Sequence, residues 1–171
     1  VVTKKKGAGF LEFPHQVDTF LHEVCEWTQK HDIRFSVKTR IGIDDEEEFW
    51  ELLSVYNKYP LCELIVHPRL QTDYYVKPVH EGIFEETVLR SKNPLCYNGD
   101  IFDEERLKKF AQSNPEQSCA MIGRGFLMHP GMGSETKEKS ESQKLSLANL
   151  WKFHDEVYKG YCDYIQGDKN M

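Results

Sequence analysis

The stretch LCELIVHPR, residues 61–69, is a short apolar run that ends in a His-Pro-Arg tip. Pro68 has no backbone N–H to donate to a sheet ladder, so it predicts that a strand ends here. Three other short runs share the form of a strand with a polar tip: RFSVKTRIG (34–42), NPLCYNGD (93–100) and SCAMIGRG (118–125). The sequence therefore predicts four short strands, each with a polar end.

Helical patterns precede, separate and follow these strands. The first, HQVDTFLHEVCEWTQKH (15–31), predicts a single apolar stripe made of Val17, Phe20, Leu21, Val24 and Trp27. The others are DDEEEFWELLSVYNKY (44–59), EGIFEETVLRSK (81–92), DEERLKKFAQS (103–113) with Asp103 as its N-cap, and LSLANLWKFHDEVYKGYCDYI (145–165). Strands that alternate with helices favour parallel βα units. Four such units predict an α/β fold, either half of a TIM-type (β/α)8 barrel or a flavodoxin-like open sheet.

Composition limits the size and class of the protein. The chain has 171 residues, of which 39% are hydrophobic, and a formal net charge of −6. That is enough for one domain with a core, and the acidic balance does not favour strong nucleic-acid binding by the chain as a whole. We expect no membrane span, and a start at Val1 without an initiator Met is compatible with a fragment.

The cysteines favour a reducing, cytoplasmic setting. There are five, an odd number, and no two of them form a CxxC pair. We therefore predict neither a metal site nor a disulfide framework, and expect the cysteines within apolar segments to fill the core.

The polar tips are expected to meet, because the carboxyl ends of parallel strands lie along one edge of a sheet or one mouth of a barrel. Each tip has an ordinary interpretation as a solvated turn. Four consecutive tips with groups able to hold an anion or a polar ring are more informative than any one of them. The residues concerned are Lys38, Arg40, His67, Arg69, Asn98, Asp100 and Arg124.

A phosphate site is the most specific interpretation of the last two tips. In βα-barrels the final strands often bind phosphate, and here they end in Asn98-Gly99-Asp100 and Gly123-Arg124. Glycine lets backbone N–H groups approach a phosphate, and an Arg guanidinium binds it through two parallel hydrogen bonds. Lys38 and His67, further across the mouth, could then stabilise negative charge on a flavin ring.

Four segments together resemble the tRNA-dihydrouridine synthases. They are SVKTRIG, LIVHPR, PLCYNGDI and AMIGRG, in this order and spacing within about residues 1–130. The resemblance implies an FMN-dependent βα-barrel oxidoreductase that uses NADPH to reduce uridine in tRNA to 5,6-dihydrouridine. It also implies that this chain is the C-terminal half of the barrel followed by the start of an α-helical domain.

The resemblance assigns roles to the residues at the strand tips. Arg40 and Arg69 are expected to face the tRNA substrate. The FMN-binding set is expected to comprise Lys38, His67, Asn98, Gly99, Asp100, Gly123 and Arg124. The catalytic cysteine of the family stands in an Asn-x-Gly-Cys-Pro loop, which this chain lacks and which is expected upstream of Val1. The chain by itself is therefore expected to be inactive.

The same resemblance divides the chain into three parts. Residues 1–132 are expected to form the partial flavin-binding barrel, 133–143 a linker, and 144–171 the beginning of a helical tRNA-binding domain. The basic run Lys4-Lys5-Lys6 could contact RNA phosphates, or it could be an ordinary solvated segment.

Two other functions remain open on the sequence. One is an FMN-dependent βα-barrel oxidoreductase that acts on a small molecule. The other is a non-catalytic RNA-binding module that kept the fold and lost the chemistry. The helix near the C-terminus and the lysine run favour the tRNA enzyme over both.

Overall fold

The computed structural model describes residues 6–116, 119–129, 132 and 147–162. A 3-10 turn at Gly7–Phe10 comes first. Helices and strands then follow in the order α1 Pro14–Lys30, β1 Ser36–Arg40, α2 Glu48–Tyr56, β2 Glu63–His67, α3 Glu81–Arg90, β3 Leu95–Tyr97, α4 Glu104–Ser113, α5 Arg124–Met128 and α6 Leu147–Cys162. The chain divides into two compact units, Val1–Gly123 and Arg124–Met171.

The first unit is built on a parallel three-stranded sheet of order β1-β2-β3. Arg40 pairs with His67 across β1 and β2, and Ile65 pairs with Cys96 across β2 and β3. The α/β class, the parallel pairing and the end of β2 before Pro68 are as the sequence predicts. Because side chains alternate along a strand, this register places Lys38, Arg40, Ile65, His67 and Cys96 on one face of the sheet.

Helices cover the other face. There the Thr39 and Tyr56 hydroxyls are 3.0 Å apart, which joins β1 to α2. The Tyr97 ring packs edge-on against Phe84 of α3 at 4.8 Å between centroids and stacks on Phe110 of α4 at 4.4 Å. The core therefore lies between the sheet and the helices that connect its strands, and this packing leaves the opposite face to carry the polar side chains.

Helix α1 buries a different stripe from the one predicted. The buried side chains are Val17, Leu21, Cys25 and Thr28. Phe20 and Trp27, which we predicted to lie on the same apolar stripe, are about half exposed. The buried positions are spaced three or four residues apart, so they form one narrow stripe along the helix. The two aromatic residues lie beside this stripe and not on it. Phe20 instead contacts Phe10 edge-on at 6.0 Å.

The predicted fourth strand is reduced to one pairing in the part of the chain that the structure describes. Ala120 forms an isolated parallel bridge with Tyr97. The Tyr97 N–H donates to the Cys119 carbonyl at 3.1 Å, and the Met121 N–H donates to the Tyr97 carbonyl at 2.7 Å. The segment lies beside β3 as a fourth strand would, but the prediction of four full βα units is not confirmed.

Helices α4 and α6 are present where the sequence predicts them. Asp103 caps α4 by accepting a hydrogen bond from the Arg106 N–H at 2.7 Å, as predicted. The helix predicted near the C-terminus is present as α6, whose apolar side chains Trp151, Phe153 and Tyr161 are exposed. No helix among the described residues is both long and apolar enough to span a membrane. The predicted linker 133–143 and Lys4-Lys5 lie outside the described residues.

Gly42, directly after β1, allows a turn that a larger residue would disrupt. Its φ is +147°, and a Cβ there would lie 2.8 Å from both the Asp45 carbonyl oxygen and a Glu48 carboxylate oxygen. That Glu48 carboxylate accepts hydrogen bonds from the Ile43 N–H at 2.7 Å and the Asp45 N–H at 3.1 Å. Close packing around Gly42 thus holds the loop between β1 and α2.

We expect Gly42→Ala to lower the free energy of unfolding by about 1–3 kcal/mol, because the backbone strain and the close contacts add. Urea denaturation of the 171-residue chain measures this change. Gly82→Ala in α3 is the matched control, since nothing lies within 4 Å of its Cβ position. That variant should gain about 0.5–1 kcal/mol from helix propensity. Equal stability of Gly42→Ala and the wild type would contradict the expectation.

Candidate functional site

The polar tips of β1, β2 and β3 meet at the carboxyl edge of the sheet, as predicted for these three of the four tips. Arg40 ends β1 and is the register partner of His67, which ends β2. The Asn98 N–H donates to the Val66 carbonyl at 2.9 Å, which brings the end of β3 to the same edge. We call the following group the polar rim: Lys38 within β1, the strand-end residues Arg40 and His67, and Arg69, Asn98 and Asp100 beyond the strand ends.

Arg69 and Asp100 form a buried ion pair at the centre of the polar rim. Two guanidinium nitrogens of Arg69 donate to the two carboxylate oxygens of Asp100, one of them at 2.9 Å. The Arg69 Nε–H also donates to the Lys77 carbonyl at 2.7 Å. Arg69 is only 2% exposed. Its guanidinium therefore joins the loops after β2 and β3.

His67 lies against this ion pair and is uncharged at neutral pH. Its Nε2 is 3.2 Å from an Arg69 guanidinium nitrogen. An arginine only donates, so Nε2 accepts and the proton of the neutral ring is on Nδ1. Burial, followed by the positive charges of Arg40, Lys38 and Arg69, lowers the pKa of His67 to about 4. The ring is thus a neutral hydrogen-bonding group among cations.

Arg40 and Tyr75 close one side of the polar rim. The Tyr75 ring stacks on His67 with 5.7 Å between centroids, and the Arg40 guanidinium lies 5.4 Å from the centre of the same ring. Arg40 donates to the Leu70 carbonyl at 2.5 Å and to the Tyr74 carbonyl at 3.2 Å. Arg40 therefore holds the loop that carries both tyrosines.

Asp73 is the buried anchor of this loop. Its carboxylate accepts from the Leu70 N–H at 2.8 Å and lies 2.9 Å from His80 Nε2 and 3.0 Å from Lys77 Nζ. Burial would raise the pKa of Asp73, but the hydrogen bonds from Lys77, Leu70 and His80 outweigh it and lower the pKa. His80 also lies 2.8 Å from Glu46, so the anchor extends to the loop between β1 and α2.

Lys38 contributes a positive charge to the same face of the sheet. It is the middle residue of β1, where its side chain is more exposed than those of its strand neighbours Val37 and Thr39. Partial burial, together with the nearby positive charge of Arg40, lowers the pKa of Lys38. It therefore stands within β1, two residues before the strand end at Arg40.

Asn98 and Gly99 shape the turn after β3. The Asn98 side-chain amide donates to the Met121 carbonyl at 2.8 Å, which adds a clamp to the single bridge at Ala120. A Cβ at Gly99 would overlap the Tyr97 ring. Only glycine fits beside this tyrosine, so the turn depends on Gly99 for packing.

The predicted phosphate pair Gly123-Arg124 falls at the boundary of the two units. Gly123 ends the first unit, and Arg124 begins α5 in the second. A Cβ at Gly123 would meet nothing within 4 Å. The predicted contact of Arg124 with a phosphate stays a prediction.

The sequence reasoning missed the loop residues that hold the polar rim together. These are Asp73, Tyr75, Lys77 and His80. No local pattern marks them, since the segment has neither helical nor strand periodicity. The only available signal is that aspartate, aromatic and basic residues follow a strand tip closely in the chain.

Comparison with known proteins gives a consistent result. A family model described as "Dihydrouridine synthase (Dus)" matches residues 1–169. The chain is 31% identical over 161 residues to a protein of Bacillus subtilis (strain 168) named "Probable tRNA-dihydrouridine synthase 2", covering 90% of this chain and 48% of that protein. It is 28% identical over 133 residues to the "tRNA-dihydrouridine(16) synthase" of Shewanella oneidensis, covering 77% and 41%. The chain thus spans about half the length of these curated relatives.

Proposed function

The chain belongs to the dihydrouridine synthase family, and from this premise we propose that it serves in the FMN-dependent, NADPH-using reduction of uridine to 5,6-dihydrouridine in tRNA. The observation that carries the proposal is the polar rim, where β1 ends at Arg40, β2 ends at His67, and Asn98 directly follows the end of β3. Active sites of βα-barrels lie at this end of the strands. The sheet and its helices would then be part of such a barrel, with four βα units and a helical tRNA-binding domain from residue 144 onward.

The side chains of the polar rim have the chemistry that a flavin needs. FMN carries a phosphate and a polar ring and, when bound, supplies hydride transfer. Lys38 would give a positive charge beside the ring, and neutral His67 a hydrogen bond. We propose that Asn98, Gly99, Gly123 and Arg124 form the phosphate end of the site.

The remaining charged residues of the polar rim would act mainly by positioning. Arg69 and Asp100 bind each other, so we propose that the pair fixes the shape of the site, and that any direct contact of Asp100 with the phosphate or of Arg69 with tRNA is secondary. We propose that Arg40, with the Tyr75 ring beside it, faces the approaching tRNA nucleotide. A general acid for the uracil ring is not expected from this chain, because Cys96 and Cys119 precede the polar tips of their segments. We therefore propose that the isolated chain does not form dihydrouridine.

We expect Arg124→Ala to weaken FMN binding about ten- to a hundred-fold, because charge-assisted hydrogen bonds to a phosphate are lost. The measurement is flavin retained on purification of the parent protein, with dihydrouridine formed on unmodified tRNA counted by mass spectrometry. Arg34→Ala is the matched control. Arg34 is an exposed arginine that precedes β1, so it lies at the amino edge of the sheet, opposite the polar rim. Unchanged flavin retention in Arg124→Ala would defeat the phosphate assignment. A parent protein that binds no flavin would defeat the proposed function.

A further inference from the structure

A second cluster of reactive side chains lies on the same face of the sheet as Lys38, but farther from the carboxyl ends of the strands than His67. Glu63 is the first residue of β2, Cys96 is in the middle of β3, and Cys119 precedes the bridge at Ala120. The carboxylate and the two sulfur atoms all lie within 4.8 Å of one another. The two Sγ atoms are 3.3 Å apart. We call these three residues the thiol cluster.

We propose that the thiol cluster binds one divalent metal ion of the zinc type through Cys96, Cys119 and Glu63. Thiolate and carboxylate ligands are a donor set that Zn²⁺ accepts, with three protein ligands and a fourth position open. Two sulfur atoms on a tetrahedral Zn²⁺ at about 2.3 Å each are about 3.8 Å apart. The observed separation needs only a small adjustment of side chains to reach that value.

The three ligands come from three adjacent segments of the sheet, which suits a single ion. Cys96 and Cys119 are side by side because Tyr97 and Ala120, the next residues, are bridge partners. Glu63 lies near Cys96 because the residues next to them, Leu64 and Leu95, are register partners. The backbone thus already brings the donor atoms together, so binding would cost little chain ordering.

The donor atoms of the thiol cluster suit a divalent cation. The Glu63 carboxylate and the two sulfur atoms lie within 4.8 Å of one another, and each of the three groups can serve as a negatively charged ligand. A divalent ion would displace the two thiol protons to solvent and leave two thiolates and a carboxylate bound to it.

The position of the thiol cluster means that a bound metal would join adjacent segments of the sheet. The segment 119–121 is joined to β3 by one bridge and by the Asn98 side chain. A metal held also by Glu63 would tie this segment to β2. The thiol cluster lies toward the amino ends of the strands, where barrel residues serve stability and not chemistry. The inference does not depend on the proposed function.

A disulfide between Cys96 and Cys119 is the alternative for the same atoms. It needs the sulfur atoms to approach to about 2.05 Å and an oxidant to take up two electrons. It does not use the Glu63 carboxylate as a ligand. The Glu63 carboxylate, as a third possible ligand beside the two thiols, therefore favours a bound metal over a disulfide.

Titration of the reduced 171-residue chain with Co²⁺ tests the proposal. Cobalt bound to thiolates gives a sulfur-to-metal charge-transfer absorption, and we expect it to saturate at one Co²⁺ per chain and to be displaced by Zn²⁺. Loss of an outer-shell partner already weakens metal binding about 10- to 100-fold, so Cys96→Ser and Cys119→Ser should each weaken it by at least about 100-fold. Glu63→Gln is expected to weaken binding while leaving the thiolate absorption in place.

Cys162→Ser is the matched control, because Cys162 is exposed on α6. It should bind Co²⁺ like the wild type. Absence of stoichiometric Co²⁺ binding, unchanged binding in Cys119→Ser, or an intact Cys96–Cys119 disulfide under reductant would each overturn the proposal. Far-UV circular dichroism of every variant shows whether it folds. If a serine variant unfolds, Glu63→Gln still tests the proposal, because it alters only a half-buried polar residue.

Discussion

Asp100→Ala is expected to lower the free energy of unfolding by about 3–5 kcal/mol, the range for breaking a buried ion pair by removing one partner. The loss is large because Arg69 is 2% exposed and would keep its charge after losing its bidentate carboxylate partner. The Asp100 side chain is 25% exposed, so water can replace part of its contacts, and the lower half of the range is the better expectation. Asp100→Asn should cost less, since the amide oxygen still accepts one hydrogen bond.

Urea denaturation at pH 7 measures this effect, with Glu86→Ala as the matched control. Glu86 pairs with Arg90, but these side chains are 42% and 50% exposed. Exposed ion pairs contribute only about 0.2–1 kcal/mol. Asp100→Ala with a loss no larger than that of Glu86→Ala would show that Arg69 does not depend on this carboxylate.

The stability of the fold is expected to fall as the pH is lowered from about 6.5 to about 4, because His67 titrates. Its pKa is lowered from 6.5 to about 4 in the folded chain. The unfolded chain therefore takes up this proton first, so the contribution is complete above pH 6.5 and is lost as the pH falls toward 4. The loss at pH 4 is at most about 3 kcal/mol.

Urea midpoints measured across this interval test the role of His67. His67→Gln should remove most of the slope, because glutamine does not titrate. His22→Gln, at an exposed position of α1, should leave the slope unchanged. The lowered pKa of Asp73 puts its own protonation below this interval, so it does not mask the result. A slope that survives in His67→Gln would assign the pH dependence to another group.

Local chemistry was enough to predict the strands β1, β2 and β3, the helices α1 to α4 and α6, and the order of these elements. Pro68 ends β2, Asp103 caps α4, and the alternation of strands and helices gives a parallel sheet. The polar rim could also be predicted, because parallel strands necessarily end at one edge. The four quoted segments were likewise sufficient for the family. These features depend on neighbours a few residues apart, and such neighbours are visible in a linear sequence.

Only the tertiary structure decided which rim residues bind each other and which faces are buried. Arg69 and Asp100 are 31 positions apart, and nothing in either segment marks the other as its partner. The thiol cluster likewise joins Glu63, Cys96 and Cys119, whose spacing matches no metal-binding motif. The exposure of Trp27 and the reduction of the fourth strand to one bridge were also visible only in the tertiary structure. Such contacts arise from strand register and helix packing, and these are set by the energy of the whole core, so no short stretch of sequence contains them.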